Sequence, residues 1–157
     1  MIKAENKRKL LVIVDDTPEC RKSLRFASRR ASRTGGIVLM LRVIHPSDFQ
    51  DWLAVEERMR QEAKDEAKDL LSRLRNEVED QWGVESESII LEGKTDKVIM
   101  SLIDESLEIK ILVLGSASGA DGPGPLVSKL VGSSSGIRIP VTVVPGDLTD
   151  EQIDELS

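Results

Sequence analysis

Short apolar runs and longer amphipathic stretches alternate along the whole chain. Residues 10–14, 37–44 and 109–114 are apolar at almost every position, the pattern of strands covered on both faces of a parallel sheet. Residues 84–91 are more polar and read as an edge strand, and residues 141–144 form a fifth strand bracketed by Pro140 and Pro145. Helical patterns fill the gaps. Asp16 or Thr17 can cap a helix whose first turn holds Pro18 and Glu19, and Gly35-Gly36 ends it after about Arg33. His45-Pro46-Ser47-Asp48 precedes a long helix over about 49–82, in which Met59, Ala63, Ala67, Leu70, Leu74 and Val78 make one apolar stripe. Glu56–Arg60 and Asp69–Arg73 support that helix at i,i+4 spacing, and its charged face reads as solvated. A helix over about 96–106, capped by Thr95, turns Val98, Ile99, Leu102 and Ile103 inward, and a short helix spans about 126–131.

Five strands joined by helices predict an α/β fold, an open doubly wound parallel sheet with right-handed crossovers. Residues 1–146 make one domain, and the acidic residues 147–157 are expected to be a mobile tail.

Composition narrows the function classes. With 157 residues the chain is long enough for a core without metals or disulfides, and 3% aromatics leave that core to Val, Ile, Leu and Ala. A net charge of −6, with no basic stripe expected and a basic N-terminus (Lys3, Lys7, Arg8, Lys9) too short to matter, argues against nucleic-acid and anionic-membrane binding. One cysteine excludes an internal disulfide and fits a reducing cytoplasm. The first apolar run is too short for a signal-peptide core, and no run reaches the length of a membrane span.

The candidate chemistry centres on residues 115–133, Gly-Ser-Ala-Ser-Gly-Ala-Asp-Gly-Pro-Gly-Pro-Leu-Val-Ser-Lys-Leu-Val-Gly-Ser, between the fourth strand and the short helix. Glycines there allow backbone N–H groups to approach an anion, and such loops recur at phosphate sites. The other reading is a tight connection in which glycines only supply positive φ. Pro123 and Pro125 each remove a donor from the loop, which Ser128 and Lys129 can offset. Glu92-Gly93-Lys94-Thr95 imitates the end of a Walker A loop, but Ser88 stands where its first glycine is required, so it reads as a turn. His45 has no nucleophile paired with it in sequence and is a minor contact candidate. Cys20 reads as structural, and spaced Cys and His metal ligands are absent from the sequence.

Gly119, Gly122, Gly132 and Ser133 follow the spacing Gly-x-x-Gly-x9-Gly-Ser. Together with Asp15 at the end of the first strand and Val141-Thr142-Val143-Val144, this resembles the universal stress protein family over roughly residues 7–146. Gly115 directly follows the fourth strand, and it is the alternative match to the first motif glycine. The resemblance implies strand order 3-2-1-4-5 and a Rossmann-like, adenine nucleotide alpha hydrolase-like fold. That order reverses between the first and fourth strands, where ligands of such sheets bind. It also implies a dimeric cytoplasmic stress-response protein that binds ATP, with or without Mg2+, as a regulatory ligand. Asp15 and Val43 would lie at the adenine, and Gly115 or Gly119, Gly122, Gly132, Ser133 and Ser134 at ribose and phosphates. Asp15 has a second reading as a helix-entry carboxylate, and Val43 as a core valine. Residues Val141, Thr142, Val143 and Val144, on an open sheet edge, would form a two-fold homodimer interface. A same-fold interaction module that has lost nucleotide binding is the alternative. No pyrophosphatase loop, catalytic base or arginine clamp is evident in the sequence, so at most slow ATP hydrolysis is expected.

Overall fold

The inner strands are apolar at nearly every position because helices cover both faces of one sheet. The computed structural model describes residues 7–46, 53–119, 122–131 and 136–157. Among these, five strands pair in parallel in the order β3-β2-β1-β4-β5. They are β1 (Lys9–Ile13), β2 (Ile37–Ile44), β3 (Ser86–Glu92), β4 (Ile109–Ser116) and β5 (Val141–Pro145). Parallel neighbours need crossovers, supplied here by α1 (Pro18–Thr34), α2 (Leu53–Trp82), α3 (Thr95–Glu105) and α4 (Pro125–Val131), with α5 (Asp150–Leu156) following β5. The predicted order and the edge position of β3 are as observed.

Alternation along each strand divides the interior into two cores. Leu10, Val12 and Val14 pack with Leu24 and Ala27 of α1, with Leu71, Leu74 and Val78 of α2, and with Ile153 of α5. Leu11, Leu39, Leu41 and Leu112 pack on the other face with Ile99, Leu102 and Ile103 of α3 and with Val127 and Leu130 of α4. Each fully buried side chain of this size contributes about 1.5–3 kcal/mol.

Local chemistry sets the helix ends. Thr17 caps α1, its hydroxyl accepting from the Cys20 N–H at 3.3 Å, Pro18 takes the first turn, and Gly35 closes the helix at φ 71°. In α2 only the second half is buried: Ala67, Leu71, Leu74 and Val78 face the sheet, while Met59 is 41% exposed. The predicted stripe therefore runs past the sheet at its N-terminal end. Its predicted start, residues 49–52, lies outside the described residues. Thr95 is the first helical residue of α3 rather than its cap, and Lys94 holds the cap position without a side-chain bond to the helix end.

The acidic C-terminus, expected to be a mobile tail, is instead a docked helix. Thr149 and Gln152 form a reciprocal capping box, with Gln152 N–H to Thr149 Oγ1 at 3.2 Å and Thr149 N–H to Gln152 Oε1 at 2.9 Å. Ile153 is fully buried, and Asp154 takes a bidentate pair of 2.8 Å bonds from Arg25. One apolar anchor, one cap and a fork-shaped ion pair order a segment that composition alone marks as solvated.

Two glycines let β4 and β5 close on the start of α1. A Cβ on Gly115 would stand 2.4 Å from the Glu19 carbonyl oxygen, and one on Gly146 2.7 Å from the Ser116 carbonyl oxygen. These are backbone neighbours, which cannot swing aside.

Three measurements test this packing. Ile99→Ala should cost about 2–5 kcal/mol in denaturant unfolding, and Val131→Ala, at an exposed position, less than about 0.5 kcal/mol. Gly115→Ala should destabilise by about 1–3 kcal/mol or more through overpacking, read from the same midpoint shift. The third concerns Asp154, whose carboxyl is held below the ordinary 3.8 mainly by the Arg25 hydrogen bond, with Arg29 and Arg33 adding to it. A lowered carboxyl pKa contributes stability that is complete above its unfolded value and lost as pH falls through the folded one. An NMR titration should place the Asp154 midpoint below 3.8 and move it upward in Arg25→Gln.

Candidate functional site

The site begins with a difference in strand length. The last β1 pairings are Ile13 with Leu41 and Val12 with Val113, whereas β2 continues to Ile44 and β4 to Ser116. Strand β1 is therefore recessed between two longer neighbours, at the point where the strand order reverses. Open α/β sheets bind ligands at such a notch. On the α3/α4 face it opens into a cavity of about 340 Å3, lined by Ile13, Val14, Asp15, Arg42, Val43, His45, Lys94, Thr95, Asp96, Pro125, Leu126 and Lys129.

Asp15, exposed just past the end of β1, is one of the residues that line this cavity. Its Oδ1 accepts from the Thr17 N–H at 2.8 Å and from the Thr17 hydroxyl at 2.5 Å, while Oδ2 lies outside that turn. The carboxylate thus helps shape the entry into α1, and the residue also lines the cavity. Val43 is half-buried near the end of β2. Beside it Arg42 donates to the Val14 carbonyl at 3.3 Å and closes the top of β1. Lys94, Thr95 and Asp96 come from the start of α3, and Pro125, Leu126 and Lys129 from α4. Three cations, Arg42, Lys94 and Lys129, face two carboxylates, Asp15 and Asp96, a balance that suits an anionic ligand with a polar apical group.

The structure brings Asp15, Val43 and His45 to one cavity. It does not bring Gly115, Gly119 or Gly122 to it. Gly115 is a β4 residue paired with Val144 and packed on Glu19. Gly119 and Gly122 lie in the loop after β4, with open space where a side chain would be. Gly122 and Gly124 have φ of 86° and 102°, values that L side chains rarely adopt. The loop closes on itself, the Ala117 N–H donating to the Pro123 carbonyl at 3.1 Å and the Gly122 N–H to the Gly119 carbonyl at 3.4 Å. Gly132, Ser133 and Ser134 lie outside the described residues.

Sequence reasoning missed Arg42, Lys94, Thr95 and Asp96. The Lys94-Thr95 pair was visible as a false Walker end. The turn at Gly93 carries it to the rim of this cavity, next to the end of β2, the Gly93 N–H donating to the Ile44 carbonyl at 3.0 Å. A larger groove of about 560 Å3 lies between α2 and the end of β2. Its Asp16, Glu62, Glu66 and Asp69 outnumber Arg42 and Arg73, so it suits an anionic ligand poorly.

Cys20 is buried, its sulfur accepts from the Asp15 N–H at 3.4 Å, and burial pushes its thiol up to about 11. It is packing, not a nucleophile. Among the described residues no cluster of three His, Cys, Asp or Glu side chains could hold a metal, and no helix is long and apolar enough to cross a membrane.

At the far edge, β5 pairs with β4 alone among the described strands. Val144 is buried in the core, while Val141, Thr142 and Val143 are half-buried.

The same architecture occurs in solved structures. Universal stress protein UspA from Lactobacillus plantarum superimposes with TM-score 0.74 at 21% identity, over 87% of this chain and 97% of that one. A universal stress protein family protein from Arabidopsis thaliana with AMP bound gives TM-score 0.62 at 22% identity, over 92% and 94%. The universal stress protein from Archaeoglobus fulgidus in complex with dAMP gives 0.60 at 20% identity, over 88% and 97%. No curated protein matches the chain significantly. The sequence model of the universal stress protein family matches residues 7–145, so the chain belongs to that family.

Proposed function

We propose that this protein binds an adenine nucleotide in the cavity beside β1 and uses it as a regulatory ligand, with ATP as the nucleotide. The observation that carries this reading is the notch above β1, where Asp15, Val43, Lys94 and Lys129 line one cavity, Lys94 beside the end of β2 and Lys129 from α4. A carboxylate oxygen outside the Thr17 turn can accept from the adenine amino group, and the lysines can meet phosphate charge. About 340 Å3 is at the small end of the ~300–1,000 Å3 typical of ligand pockets, enough for the nucleoside with its phosphates reaching over the rim. In this reading the phosphates leave the cavity toward the loop after β4, where Gly119, Gly122, Gly132, Ser133 and Ser134 contact them and the ribose, with Gly115 shaping the strand end behind them. Mg2+ would bind through phosphate oxygens. Support also comes from family members whose structures hold AMP, cAMP and dAMP.

The protein works as a cytoplasmic homodimer joined along β5, whose edge offers backbone groups to a second copy. Occupancy stabilises the glycine loop and α4, which precede β5, and thereby changes dimer affinity. One observation favours the alternative of an interaction module without nucleotide. The Ala117 N–H is already spent on Pro123, and Pro123 and Pro125 have none to give.

Calorimetric titration with ATP and AMP, after assay of the nucleotide content of the purified protein, tests the reading. Saturable binding should weaken about tenfold, ~1.4 kcal/mol, in Asp15→Asn or Lys129→Ala. Absence of both co-purified nucleotide and binding heat would leave the interaction module.

A further inference from the structure

The family match ends at residue 145, and α5 begins at Asp150. The helix beyond the family segment sits on an unusual surface. Helix α1 carries Arg21, Lys22, Arg25, Arg29, Arg30 and Arg33 against one acid, Glu19, a net +5 in a chain of net −6. Residues 147–157 carry Asp147, Asp150, Glu151, Asp154 and Glu155 with no cation, a net −5. Lys22, Arg25, Arg29 and Arg33 recur at three and four residues and so share one face, a basic stripe that corrects the expectation of none.

On that face the two helices match group by group. Lys22 Nζ lies 3.1 Å from Asp150 Oδ1, and Arg25 holds both Asp154 oxygens at 2.8 Å. Arg29 Nε lies 3.2 Å from Asp154 Oδ1, and Arg33 donates to the Ser157 carbonyl. Between the two carboxylates Ile153 drops into the core. The Arg25 and Arg29 guanidinium carbons stand 4.9 and 5.6 Å from the Trp82 ring centroid, which holds them in place before any acid arrives. A groove of about 490 Å3 continues beside Asp150, lined by Arg21, Lys22, Leu24 and Trp82 among others. Helix α5 thus meets all four cations of that face, while Arg21 beside it pairs with Glu77 of α2.

We propose that the basic face of α1 is a docking surface for an acidic amphipathic segment of a partner protein, and that α5 occupies it in cis as a stand-in. The recognised pattern is the one α5 presents: a carboxylate, an apolar residue three positions on, and a carboxylate directly after it. The apolar anchor and the −6 charge of the whole chain favour such a protein segment over nucleic acid. Seven residues make a helix too short to persist alone. Its ion pairs are partly exposed and screened by salt, so α5 opens at lower cost than the sheet. Tethering gives it a millimolar effective concentration, which keeps weak competitors out until they are multivalent or the strap is loosened. The proposal is independent of the nucleotide reading.

The test uses the full chain, wild type and Asp150→Asn/Asp154→Asn, with a fluorescein-labelled peptide of residues 147–157 as probe in anisotropy titrations. The double variant should bind the probe at least about tenfold more tightly than wild type. Adding Arg25→Glu to the protein, or Ile153→Ala to the peptide, should abolish that gain. Equal affinity of both proteins overturns the proposal, as does undiminished binding of the peptide carrying Ile153→Ala. Stronger binding of a single-stranded oligonucleotide of equal charge overturns it too and makes the face a general polyanion site. Amide exchange in the wild-type chain gives a readout that does not depend on the variant folding. Salt should accelerate exchange over residues 150–156 and leave β1 and β4 unchanged, and exchange of α5 only at the global rate would refute the strap.

Discussion

The shortness of β1 governs what this molecule can do. Asp15 and Thr17 pull the chain out of the sheet immediately after Val14 and into α1, while β2 and β4 run on. The notch so formed follows from the strand registers together with that turn. It also places the first turn of α1 beneath the ends of β4 and β5, where Glu19 meets Gly115 and Gly146. Turn, recess and close backbone contact are one arrangement, and each would be strained without the others.

Much of this is legible in the sequence. The doubly apolar runs identify the inner strands, and the polar run at residues 84–91 identifies an edge. Thr17, Pro18 and Gly35 mark both ends of α1 by chemistry that needs no tertiary partner. Asp15 can be placed at the cavity because a strand's carboxyl end is fixed once the strand is, and Val43 through the family resemblance. Lys94 and Thr95 cannot, since only the packing of α3 beside α4 and the end of β2 brings them there. The glycine loop shows a different gap. Its spacing is readable, but the direction of its N–H groups depends on how the loop closes, and here Ala117 closes it on Pro123.

The C-terminal helix escapes a sequence reading for an instructive reason. Seven residues hold too few positions for a periodicity, and five acids in eleven residues look like solvated chain. The signals that matter are the Thr149–Gln152 capping box and one isoleucine. Neither has force until a complementary surface exists, and that surface lies more than a hundred residues earlier, on a helix whose own charge has the opposite sign.

That separation of charge has a colloidal consequence. Five of the six net negative charges of the chain reside in residues 147–157, so the rest of the protein is close to neutral, with −1. Solubility at neutral pH therefore leans on a short terminal segment that is itself engaged with an arginine-rich helix. With α5 docked, opposite charges cancel locally and the molecule presents a mixed surface. With α5 lifted, the same residues become a strongly dipolar particle, a positive helix and a negative arm. Such particles attract one another head to tail, an open-ended association distinct from pairing along β5, and the docked helix closes that route.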